Sequence, residues 1–364
     1  MKIVQIISSL GNGGAEKFVI ELSNELHRKK HYVRIISFKK TTKDMFFVEK
    51  IHPNIDITEL NKNKGFSFKI FINLFSFILK YNPDQIHFHL DSTFLYIFPL
   101  TFIFRKKKFT YTIHSKLSKS NRKKFEILNK LFFMKKNIEY VCISKSIKQD
   151  FSKHFPRLKF NVVVNGINNL SKTENFNQNL DLVNSLKINH KTKVCLVVGK
   201  VVPVKNYLLL LSAFSKLKEQ NVICIIIGNN STEYYEKIKK YKPNNVFFVG
   251  PKSDVSDFLI LSDAFLMSSL NEGLPISALE AMYYSKPVIT TPAGGMIDLI
   301  ENKVNGFITK TFEVNEFVST IKKFLLLDKA NIDLIKKNNI NKIKNSYTIE
   351  ICCENYLKIF NKTK

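Results

Sequence analysis

The sequence predicts two doubly wound α/β domains in series, each on a parallel sheet, and three observations point there. The chain opens with a strand, a glycine turn, a helix and a second strand. The same pattern restarts near residue 193. The length, 364 residues, exceeds one ordinary core and suits two.

Residues 2–8 are a short β-branched run broken by Gly11-Asn-Gly-Gly14. Residues 15–29 then carry Phe18, Val19, Leu22 and Leu26 at helical spacing, and residues 31–38 read as a second strand. Such a βαβ unit, when repeated, implies a parallel sheet. Residues 85–89, 109–114 and 140–144 continue the strand series, with helical stretches between them. Residues 171–182, rich in Asn and without clear periodicity, read as a linker. The second unit begins with the apolar run 193–199, followed by a turn and a helix over 207–218. Further strands are expected at 222–228, 246–250, 264–268 and 287–290, and an amphipathic helix at 347–360. The expected domains are residues 1–170, residues 171–345, and a closing helix over 346–364. Two such sheets bind ligands at their carboxyl edges, in the cleft expected between them.

Composition narrows the function. With 45% hydrophobic and 24% charged residues, the chain can bury sizeable cores, which excludes global disorder. The longest uncharged apolar run, residues 92–104, is short of the roughly 20 that a spanning helix needs. The first residues enter a strand at once and show no cleavable signal, so a cytoplasmic protein is expected. The five cysteines form no CxxC pair, which argues against a disulfide framework or a zinc site. The net charge of +27 is uneven: residues 1–170 hold 31 basic and 12 acidic residues, and residues 102–159 alone hold 17 and 3. Part of this reflects a composition rich in Lys, Asn, Ile and Phe. The remainder calls for an anionic partner, nucleic acid or a membrane surface.

Three turns carry the chemistry. Bare glycines in Gly11-Asn-Gly-Gly-Ala-Glu16 let a ligand approach the backbone at a helix N-terminus, although many such turns are only turns. Gly199-Lys-Val-Val-Pro-Val-Lys-Asn206 places Lys200 and Lys205 beyond a strand, where they are either phosphate ligands or solvated lysines. In the run from Asp263 to Glu280, a strand ends near Ser268, the turn Asn271-Glu-Gly-Leu-Pro275 follows, and a helix starts with Pro275 in its first turn. Glu272 and Glu280 stand eight apart at that turn. Both carboxylates can accept bonds from sugar or ribose hydroxyls, while the helix N-terminus between them faces a phosphate.

That Glu272-x7-Glu280 segment resembles the signature of the retaining GT-B glycosyltransferases of the family 4 type. The likeness runs through nearly the whole chain in the expected order: Gly11–Glu16 (GGAE loop), residues 141–151, the VVNGIN segment at 163–168, residues 199–211, and the closing helix. It implies a GT-B fold of two Rossmann-like, doubly wound parallel-sheet domains. In this family Lys200 and Lys205 would hold the donor diphosphate with the backbone of Gly273, Leu274, Pro275 and Ile276. Glu280 would bind the donor ribose, and Glu272 the transferred sugar. Gly13 and Gly14 would lie against the phosphates, and His114 would match the histidine near the donor sugar. The family usually has Arg at the position of Lys200 and Glu at that of Val204, a carboxylate that could orient Lys205. His87 and His89 alternate on one strand with no third ligand nearby and read as structural.

The implied reaction moves a sugar from a nucleotide-sugar donor, UDP-linked in the first instance and GDP-linked as the alternative. Leaving-group charge would be met by lysines and a helix dipole. No Asp-x-Asp pair occurs, so no metal and no other cofactor is expected. The acceptor is expected to be a lipid-linked or polysaccharide glycan in bacterial surface-glycan assembly, including O-antigen, capsule or lipopolysaccharide. Interleaved aromatics and lysines at 66–79, 105–108 and 121–133 read either as core aromatics with a solvated basic face or as a surface for an anionic membrane, at the inner face of the plasma membrane, which is expected as the partner rather than nucleic acid. The alternatives are a GT-B-like sugar-nucleotide epimerase and a basic nucleic-acid binder.

Overall fold

The computed structural model describes residues 1–63, 65–117, 137–229 and 232–362. The basic segment at 121–133 lies outside the described residues. The chain forms two compact units: Met1–Asn168 with Thr348–Lys364, and Asn169–Tyr347.

The first unit runs β1 (Lys2–Ile7), α1 (Gly14–Arg28), β2 (Tyr32–Ser37), β3 (Asp56–Glu59), α2 (Phe68–Tyr81), β4 (Gln85–His89), α3 (Asp91–Ile103), β5 (Lys108–Ile113), β6 (Ile138–Cys142), α4 (Lys145–His154) and β7 (Phe160–Val162). Its strands form one parallel sheet in the order β3-β2-β1-β4-β5-β6-β7. The strand order reverses at β1, between β2 and β4, and the carboxyl edge there is where such sheets bind ligands. α1 buries the four apolar residues that its spacing indicated, Phe18, Val19, Leu22 and Leu26. Each contributes about 1.5–3 kcal/mol of apolar burial.

The second unit runs α5 (Phe176–Leu186), β8 (Lys193–Val198), α6 (Tyr207–Ser215), β9 (Val222–Ile227), α7 (Glu233–Ile238), β10 (Val246–Gly250), α8 (Val255–Leu261), β11 (Ala264–Met267), α9 (Ile276–Tyr283), β12 (Val288–Thr290), α10 (Met296–Leu299), β13 (Gly306–Ile308), α11 (Val314–Leu325) and α12 (Lys329–Ser346). Its parallel sheet has the order β10-β9-β8-β11-β12-β13, so its reversal lies at β8, between β9 and β11. β9 is buried along its whole length, as a continuous apolar run in a helix-covered parallel sheet must be. The last helix, α13 (Ile349–Phe360), belongs to the first unit. Thr348 caps it, the Ile349 N–H donates to Ile167 O (2.9 Å), and Tyr356 OH bonds Thr112 Oγ1 at 2.9 Å.

The segment read as a linker is instead largely α5. Its buried stripe is Asn179 and Val183, and the polar Asn in an apolar slot hid the helical period. Asn179 Nδ2 donates to Asp254 Oδ2 (2.8 Å) and Asp257 Oδ2 (3.0 Å), which satisfies the buried amide. Among the described residues no helix is long and apolar enough to cross a membrane.

Candidate active site

Beyond β8 the chain makes a tight turn in which Pro203–Lys205 form a single 3-10 turn and Asn206 adopts a left-handed conformation (φ 51°). Two bonds tie this turn to the segment after β11. Ser268 Oγ donates to Lys205 O (2.9 Å), and the Leu270 N–H donates to Val204 O (2.8 Å). The Lys205 side chain is thereby aimed at Glu272, and Nζ donates to Oε1 at 2.7 Å. The pair is shielded, with side chains 22% and 10% exposed, so solvent screens it less than a surface pair. Glu272 thus supplies from another loop the carboxylate that Val204 lacks. Lys200 is exposed at the start of the turn, and Glu280 is buried one turn into α9.

The Glu272 loop is held from beneath by a glycine pair. The Gly295 N–H donates to Glu272 O at 3.0 Å, and Gly294 is left-handed (φ 53°). A Cβ on Gly294 would overlap Glu272 O, and one on Gly295 would overlap Gly273 O, so only glycine permits this approach. Pro275 stands one residue earlier than the sequence reading placed it. It is the N-cap of α9, and Gly273, Leu274, Pro275 and Ile276 lead directly into that helix.

In the first unit, the turn after β1 leads to Gly13 as the N-cap of α1 and to Gly14, exposed, as its first residue. Glu16 folds back over Gly13. His114, just past β5, is part of a line of side chains. His89 Nδ1 meets His114 Nε2 at 3.1 Å, and His89 Nε2 meets Gln5 Oε1 at 2.8 Å. His87 Nε2 bonds Thr112 Oγ1 at 2.7 Å, and the His87 ring lies 4.1 Å from that of His89. Phe18 makes T-shaped ring contacts with both His89 and His114. Burial, reinforced by the neighbouring imidazoles, drives His87 and His89 well below the usual histidine range. Burial alone pushes His114 down to about 4. All three are therefore neutral at pH 7.

His89 was read as structural, yet it bonds the one histidine singled out for function. The available signal was the His-x-His alternation, which sets both rings on one face of β4. Seeing its meaning requires the order β1-β4-β5, which brings Gln5 and His114 to either side. Among the described residues no three His, Cys, Asp or Glu side chains gather as a metal ligand set.

Residues 12–169 match the family model described as Glycosyltransferase Family 4, and residues 178–340 match Glycosyl transferases group 1. The UDP-Gal:alpha-D-GlcNAc-diphosphoundecaprenol alpha-1,3-galactosyltransferase of Escherichia coli is 23% identical over 318 residues, 84% of this chain and 80% of the relative. The capsular polysaccharide biosynthesis glycosyltransferase CapH of Staphylococcus aureus is 27% identical over 349 residues, 89% of this chain and 91% of the relative. Among solved structures, Anabaena HepE in complex with UDP-glucose superposes with a TM-score of 0.84 at 19% identity, covering 99% of each chain. A glycosyltransferase from Rickettsia africae gives 0.81 at 22% identity, covering 98% of this chain and 97% of that one.

Proposed function

This chain belongs to the glycosyltransferases, a family 4 domain followed by a group 1 domain on the GT-B fold, and from that premise we propose that it is a retaining, metal-independent sugar transferase. Its donor is a nucleotide-sugar, UDP-linked in the first instance. Its acceptor is a lipid-linked or polysaccharide glycan of the cell surface. The observation that carries the reading is the shielded Lys205–Glu272 pair at the carboxyl edge where β8 and β11 meet, since this is where a doubly wound sheet takes its ligand. The relatives lend support for donor and acceptor: the E. coli enzyme is named for UDP-Gal and a diphosphoundecaprenol acceptor, and HepE was solved with UDP-glucose.

Cleaving the sugar–phosphate bond places the bonding electron pair on the leaving diphosphate. Lys205 Nζ, held by its backbone ties before the reaction begins, meets that charge together with Lys200 and the N-terminal end of α9. Glu280 accepts bonds from the donor ribose. Glu272 takes hydroxyls of the transferred sugar, and His114, neutral, bonds another. Gly14 leaves the backbone at the start of α1 bare for the phosphates, and Gly13 joins it once the Glu16 carboxylate that folds over it swings away. The acceptor hydroxyl attacks on the face the phosphate leaves, and its proton passes to that phosphate, so configuration is retained without a covalent enzyme intermediate. Incubation with UDP-glucose, UDP-galactose or their GDP counterparts and a polyprenyl-diphosphate sugar, with EDTA present, tests this directly. The reading predicts α-linked product, and strict dependence on an added divalent ion contradicts it.

The same reading places the enzyme at the inner face of the plasma membrane. α2 buries only the row Ile70, Leu74 and Ile78, and leaves Phe68, Ile72 and Leu79 exposed beside Lys69 and Lys80. Apolar and basic side chains on one face suit an anionic headgroup layer. Sedimentation with anionic vesicles at low salt, weakened in Ile72→Asp, is expected, and sedimentation unchanged by that substitution counts against α2 as the docking face.

A further inference from the structure

We infer that Gln5 and His89 are positioning residues that set the tautomer of His114, so that His114 offers Nδ1 as a hydrogen-bond acceptor to a hydroxyl of the transferred sugar. The inference rests on the role proposed above for His114, but its geometry stands apart from it. Gln5 Oε1 is a carbonyl and can only accept, so the 2.8 Å bond makes His89 Nε2 the protonated nitrogen. A neutral imidazole carries one N–H, which leaves His89 Nδ1 as a bare acceptor. The 3.1 Å bond to His114 Nε2 then needs its proton from His114, and His114 Nδ1 is left bare.

The chain of donors holds only while the rings stay neutral. Gln5 and His89 are fully buried, and the rings of Phe18 and His87 both pack against that of His89. The depressed affinity of all three imidazoles for a proton keeps the single-proton logic intact at pH 7. Turning the Gln5 amide over would reverse every donor in the line and give His114 an Nδ1–H. The tautomer of one ring therefore reports the state of all three side chains. In strand terms, β1, β4 and the residue just past β5 each contribute one member, toward the edge where a ligand is expected.

The test is long-range ¹H–¹⁵N spectroscopy of the full chain labelled with ¹⁵N-histidine, with His114 assigned by His114→Gln. The expected wild-type spectrum shows His114 protonated at Nε2 and bare at Nδ1. In Gln5→Met, which keeps the bulk and removes the amide, His114 should populate both tautomers. The kcat for transfer should fall about tenfold while UDP affinity stays within about twofold. An Nδ1–H on His114 in the wild type overturns the inference, as does a tautomer unchanged in Gln5→Met. If Gln5→Met does not fold, the wild-type spectrum alone decides. Failure of the wild-type chain to bind UDP would instead strike the proposed function and leave the relay standing.

Discussion

The two units share a sheet order and carry opposite side-chain chemistry at the same topological position. In the second unit the edge at β8 and β11 carries an ion pair, Lys205 with Glu272, tied down by backbone bonds and a glycine pair. In the first unit the edge at β1, β4 and β5 carries three imidazoles kept neutral by burial. A fixed cation suits the charge that develops on a leaving diphosphate, and neutral groups with one donor and one acceptor suit hydroxyls. One fold supplies either, because the strands position the edge and the loops choose the side chains.

The comparison can be broken first at its charged side. Lys205→Ala removes the fixed cation and leaves Glu272 as a shielded, unpaired carboxylate. Transfer should fall by about 10²–10³ in kcat/KM, read in a steady-state product assay. Next, His114→Ala removes a neutral partner, so kcat should fall by about 10² while nucleotide affinity, read by calorimetry, holds. A variant that loses nucleotide affinity instead would erase the division of labour. Gly295→Ala forces a Cβ onto Gly273 O, and should cost about 1–3 kcal/mol in denaturant unfolding and weaken nucleotide binding with it.

A further effect concerns acid. A histidine whose folded pKa is depressed is protonated more readily in the unfolded chain, so stability is full above the unfolded pKa and lost as pH falls toward the folded value. For His114 the window runs from about 6.5 down to about 4. His87 and His89 add to the same slope, each by at most about 1.4 kcal/mol per pH unit. Unfolding curves at pH 7, 6 and 5 should show this, and a flat profile would mean that the imidazoles are not held neutral.

Much of the fold is legible in the sequence because strands buried on both faces read as unbroken apolar runs. β8, β9 and β11 are of that kind, whereas β1 and β4 are equally buried but carry the polar Gln5, Gln85, His87 and His89. The strands not anticipated, β3, β7 and β13, have only three or four residues each and partly exposed patterns that no period marks. α5 escaped because Asn179 fills an apolar slot, bonded to two aspartates that lie 75 and 78 residues further on. At the site, the residue types of Lys205 and Glu272 were visible, but their mutual bond was not, since it joins turns 67 residues apart. Gln5 was invisible for the same reason, and His89, seen in the His-x-His alternation, lacked its partners: a polar residue in a strand acquires meaning only from the strand beside it.

The claim that a nucleotide binds at the β8–β11 edge is most directly tested by thermal unfolding of the full chain with UDP, GDP, ADP or CDP, in EDTA. A ligand that binds only the folded state stabilises it by about 2.7 kcal/mol at a hundredfold excess over Kd. The account predicts a rise in Tm with UDP that is lost in Lys205→Ala and in Glu280→Ala. A rise with UDP that survives both substitutions, or no rise with any of the four nucleotides, would contradict it.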